Sequence, residues 1–129
     1  MAEKDVIRTD RAPGPFQGAP YNQAIRVGDL VFVAGQLGIS LDTGALAGPG
    51  VAEQTERIMA NLGAILEAAG SSLDRLVKTS VFLQDLGDFA AMNEVYARHV
   101  GDRPPARSTF QVAGLPAGAL VEIEAVAHV

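Results

Sequence analysis

The chain has 129 residues, 48% of them apolar and 19% charged, with Lys+Arg 10 against Asp+Glu 15 and a formal net charge of −5. That length suits one domain over residues 1–129, with a core large enough to hold it. The absence of Cys excludes a disulfide framework, a thiolate nucleophile and a Cys-ligated metal centre, and the negative balance argues against nucleic acid as the main partner.

Met1-Ala2-Glu3-Lys4-Asp5 is charged and leads into no apolar stretch, so no signal peptide is expected. Apolar runs such as Leu30–Ala34 fall far below the roughly 20 residues of a membrane span. No membrane partner is expected, and the expected location is the cytoplasm. Arg11–Pro20, rich in Pro and Gly, reads as an ordered arm. Asn22–Val27 and Leu30–Gly35 read as strands around the turn signal Gly28-Asp29. A turn at Asp42-Thr43-Gly44 and the pair Pro49-Gly50 lead to a helix over Val51–Ala69. Its Ile58, Leu62, Ile65, Leu66 and Ala69 fall at helical spacing, and Gly70 stands just past its end. Leu76–Leu83 is a strand. Asp85 can cap a second helix near Leu86–Val100, where Phe89, Met92, Val95 and Tyr96 recur at three and four. Arg107–Val112 and Leu120–Val129 are the last strands, divided by a turn at Leu115–Gly118. The expected fold is α+β, a single mixed sheet with two helices on one face.

Alternation in the last strand puts Val121, Ile123, Ala125 and Ala127 on the helix side and Glu122 and Glu124 on the other. The same reading groups Arg107, Lys78, Leu76, Phe82 and Leu120 with the two glutamates. Leu30–Ala34 is apolar on both faces, the pattern of a strand buried on both sides. Two helices cannot cover both faces of a sheet, so the second face is expected to be covered by another copy of the chain.

Phosphate-loop, dinucleotide and nucleophile-elbow motifs are absent. The two histidines, His99 and His128, do not suggest a metal site or a His-based triad. Proton transfer then falls to carboxylates, Tyr or water. Arg107 and Glu122 read either as a cross-strand ion pair at a subunit interface or as a guanidinium fork for a carboxylate with a glutamate beside it to move a proton. Asn93 reads as a solvent-facing helix residue or a cleft contact. Tyr21 reads as an amphipathic plug or a site residue.

Ala19-Pro20-Tyr21-Asn22-Gln23-Ala24-Ile25, Val33-Ala34-Gly35-Gln36, Val77-Lys78-Thr79-Ser80-Val81-Phe82-Leu83, Asn93-Glu94-Val95-Tyr96, Pro105-Ala106-Arg107-Ser108 and Val121-Glu122-Ile123-Glu124-Ala125 stand in order along the chain. In these segments the sequence resembles the reactive intermediate deaminase (RidA/YjgF) family, under an older label L-PSP endoribonuclease. The resemblance implies a chorismate-mutase-like fold and a homotrimer with sheets packed around the threefold axis and clefts between subunits. It also implies cofactor-free hydrolysis of 2-imino or 2-enamino acids to 2-keto acids and ammonia. Carried over, Arg107 would hold the substrate carboxylate and Glu122 would position water. Tyr21 would close the site, Gly35 would give a backbone contact and Asn93 a polar one. Ala34 stands where many members have Ser, and Thr109 where the best-known members have Cys. Both lie at substrate-contact positions, so the departures bear on substrate range. The alternatives are a non-catalytic or pathway-specific small-ligand binder, such as an aminomuconate-type deaminase, and an RNA-directed endoribonuclease or translation inhibitor. With only Lys4 and Lys78 as lysines and a charge of −5, the RNA role is the weaker of these.

Overall fold

The computed structural model describes residues 3–129. Six strands form one mixed sheet: β1 (Lys4–Ile7), β2 (Ala24–Val27), β3 (Leu30–Leu37), β4 (Leu76–Leu83), β5 (Ala106–Gln111) and β6 (Val121–His128). Their order is β1-β2-β3-β6-β4-β5, and only β4 and β5 run parallel. Helices α1 (Val51–Ala68) and α2 (Phe89–Val100) share one face. Among the described residues no helix is long and apolar enough to cross a membrane.

Local chemistry explains most boundaries. Gly28 takes φ +57° in the two-residue turn that pairs Val27 with Leu30. Gly70, at φ +83°, ends α1: its N–H donates to the Glu67 carbonyl and that of Ser71 to the Leu66 carbonyl, the paired hydrogen bonds of a left-handed helix cap. Asp85 accepts a 2.7 Å bond from the Gly87 N–H and caps a single turn, Leu86–Asp88, that runs into α2. Buried Gln23 ties down the arm, accepting from the Thr9 N–H and donating to the Thr9, Ala12 and Pro13 carbonyls.

The core lies between helices and sheet. Ile58, Leu62, Ile65 and Leu66 of α1 and Met92 and Tyr96 of α2 meet Val31, Val33, Val81, Leu83, Val121, Ile123 and Ala125. The face of β6 assigned to the helices is therefore the buried one.

Two sequence readings are corrected. β1 is a strand the sequence reading does not include, because its two apolar residues, Val6 and Ile7, follow two charges and show no alternation; it is a sheet edge, where charge is well tolerated. Leu76 is buried and Val77 exposed, because the β4–β6 register slips between Leu76 and Lys78 and reverses the alternation there. Within one chain Leu30 and Phe32 are 41% and 45% exposed, so the first half of β3 is buried on the helix side and open on the other. The opposite, outer face carries a continuous apolar row, Val6–Ile25–Phe32–Val126, and farther along Phe82 and Phe110 side by side.

Candidate functional site

The residues singled out from the sequence fall into two groups. The first lines a cleft of about 680 Å³ formed by the arm, the irregular end of β3 and the loop before β6. Tyr21, Ala34, Gly35 and Glu122 are all in its wall, with Phe16, Leu37, Ile39 and Pro116. The β3–β6 register shifts between Val33 and Gln36, and that bulge turns Ala34 and Gly35 toward the cleft. The Tyr21 hydroxyl accepts from the Phe16 N–H, pinning the arm across the opening. Gly35 admits the Glu122 carboxylate: a methyl group there would stand 2.7 Å from Oε2. Burial, and next the charge of Glu124, pushes the Glu122 carboxyl above the usual carboxylate range.

This shift has a sign that can be measured. The folded chain holds the Glu122 proton more tightly than the unfolded chain, so ionising it opposes folding. Its favourable contribution is complete below the ordinary carboxylate pKa and is lost as pH rises through the raised value. In the single chain, with no neighbouring cation at the carboxyl among the described residues, Glu122→Gln is expected to melt above the parent at pH 7. The gap should close as pH falls to about 4. Melting curves across that range check it.

The second group surrounds Arg107. Arg107 opposes Thr79 across β4–β5, and Thr79 opposes Ala125 of the buried face. The guanidinium therefore lies on the helix side, over the rings of Tyr96 and Phe89. Thr109, opposite Val81, shares that side. Asn93 is on the same helix, three residues before Tyr96; its Oδ1 is buried with no hydrogen-bond partner.

The grouping of Arg107 with Glu122 on one face is thus overturned. Glu122 opposes Phe82, which opposes Phe110, all on the outer face. Edge strand β5 has its parity set by its parallel partner, whatever its own apolar pattern suggests. Two strand spacings and three residues separate the two positions, roughly 14 Å of backbone, with the sheet between them. A cross-strand Arg107–Glu122 ion pair within one chain is ruled out by that geometry. Tyr96, Phe89 and Thr79 were missed as companions of Arg107. The spacing of Phe89, Asn93 and Tyr96 along one helix face was the signal that could have found them.

Comparison with known proteins gives the same family throughout. The family profile for endoribonuclease L-PSP matches residues 11–129. A RutC family protein of Pyrococcus abyssi is 49% identical over 97% of this chain and 97% of its own length. The human 2-iminobutanoate/2-iminopropanoate deaminase is 43% identical over 95% of this chain and 88% of its own. The crystal structure of RidA from the Antarctic bacterium Psychrobacter superposes with a TM-score of 0.92, at 43% identity, over 97% of this chain and 99% of that one. On this match in sequence and in fold, the chain belongs to the L-PSP endoribonuclease family, that of the RutC and RidA proteins.

Proposed function

We propose that this protein hydrolyses 2-imino and 2-enamino acids to 2-keto acids and ammonia, at sites completed between copies of the chain. The observation that carries the reading is the division of its site residues. A guanidinium without a carboxylate partner among the described residues lies on one side of the sheet. A carboxyl group in a cleft lies on the other. Each is half of a site for a small carboxylate that must react with water, and a second copy brings them together. The outer apolar face, with Leu30, Phe32 and Phe110 exposed, supports such an assembly. Three copies around a threefold axis, as in the chorismate-mutase-like arrangement, would set β5 of each against the cleft of the next. The name of the human relative supports the reaction class.

In this reading the substrate carboxylate takes two parallel hydrogen bonds from Arg107. Thr109 and Asn93 line the same side, and Ala34, Gly35 and Tyr21 close the other. The C=N carbon then faces a water held by Glu122. The carboxylate of Glu122 accepts a proton as that water adds, and the carbinolamine forms. Glu122 returns the proton to nitrogen and takes the hydroxyl proton as the C–N bond breaks, so ammonia leaves and the keto acid forms. An enamine is first protonated on carbon, for which the raised Glu122 carboxyl is a suited donor. Imines hydrolyse readily, so positioning and one proton-transfer group suffice.

The test couples the protein to threonine dehydratase and follows 2-ketobutanoate. Faster release than with dehydratase alone is expected. An unchanged rate across imines generated from several amino acids contradicts the reading and favours a ligand-binding role.

A further inference from the structure

Arg107 is a long, half-buried side chain that no carboxylate holds among the described residues. What it rests on is aromatic. Its guanidinium carbon lies 4.8 Å from the centroid of Tyr96 and 5.5 Å from that of Phe89. Tyr96 is itself fixed. It is 5% exposed, and its hydroxyl shares a 2.6 Å hydrogen bond with Thr79 Oγ1, a fully buried group. Thr79 is also the residue that opposes Arg107 across β4–β5. The residue beside the Arg107 backbone thus anchors the ring under its head group. Charge and ring act on each other: burial raises the Tyr96 pKa, while the Thr79 bond and the Arg107 charge pull it back.

We propose that Tyr96, locked by Thr79 and assisted by Phe89, is the positioning residue that holds the Arg107 guanidinium for the substrate. This rests on the reading of Arg107 as the carboxylate grip. A guanidinium lying on an aromatic face keeps its N–H donors directed outward in its own plane, where a carboxylate can take two of them. An acidic partner would hold the head group as firmly but would occupy those donors and repel the substrate. The aromatic support fixes direction while leaving the charge available. The carboxylate is not consumed in the reaction, so the support acts on ground state and transition state alike and is read in KM.

The experiment compares steady-state kinetics on 2-iminobutanoate generated in situ for the parent, Tyr96→Leu, Tyr96→Phe, Phe89→Leu and Arg107→Ala. Alongside it, the Arg107 Nε–H resonance is followed in 15N-arginine-labelled protein. Tyr96→Leu is expected to raise KM about tenfold with kcat little changed, and to abolish the upfield ring-current shift of that resonance. Tyr96→Phe keeps the ring and recovers most of the loss. Phe89→Leu, at a half-exposed position, folds as the parent does and raises KM a few-fold. If Tyr96→Leu does not fold, the Phe89→Leu and Tyr96→Phe results decide. A lowered melting temperature with KM and the resonance unmoved overturns the proposal and leaves Tyr96 a core residue. Loss of activity in Arg107→Ala with no KM change in the aromatic variants sinks the positioning role alone. An unaffected Arg107→Ala sinks the carboxylate reading beneath it.

Discussion

Arg107→Ala is expected to lower kcat/KM for imine hydrolysis by at least about a hundredfold while the assembly persists. The guanidinium supplies two charge-assisted hydrogen bonds to the substrate carboxylate, and losing both, at about 1.5–3 kcal/mol each, costs at least that much. The fold has little at stake. Arg107 is on edge strand β5, rests on two rings and forms no ion pair among the described residues, so truncation removes two cation–π contacts of about 0.5–1 kcal/mol each. The dehydratase-coupled assay, with light scattering on the same sample, checks both halves. Activity retained within a few-fold would remove Arg107 from the site.

Phe32→Glu is expected to do the reverse, dissolving the assembly and activity together while each chain stays folded. Phe32 is 45% exposed in the single chain, centred in the outer row between Ile25 and Val126. Its side chain points away from the helices, so the core of Ile58, Leu62 and Ile123 is untouched. In an interface the new carboxylate would be buried in every copy, with a desolvation penalty of several kcal/mol per charge. The expected species is a monomer by light scattering with parental helix content. A monomeric parent, or an active monomeric variant, would contradict sites shared between copies.

The sequence pattern was sufficient wherever a buried element carries its own periodicity. The helix-facing stripe of α1, the cap at Asp85, the left-handed Gly70 and the buried alternation of β6 all follow from residue type and spacing. It failed where a neighbour sets the geometry. Val77 and Leu76 exchange faces because of a bulge that only the pairing of β4 with β6 defines. Arg107 and Phe110 lie on the faces that the parallel partner β4 dictates, although Phe110 looks like a core residue. The same limit applies to the site. Residue types suggested Arg107 and Glu122, and family resemblance suggested their roles. That the two stand on opposite faces of the sheet needs the strand order. The apolar surplus of the composition has a matching feature in Leu30, Phe32 and Phe110, which a lone chain leaves open to water.

The central claim is that one chain supplies Arg107 and another Glu122 to each site. Its most direct test mixes two inactive proteins, Arg107→Ala and Glu122→Gln, under conditions where subunits exchange. In a closed ring in which each copy meets the next through the same heterologous contact, equal random mixing restores both residues in about one quarter of the sites. Recovery of about that fraction of parental activity is the predicted result. Mixtures that remain inactive after exchange, verified by mass-tagged subunits, would show that both residues must come from the same chain and would contradict the account.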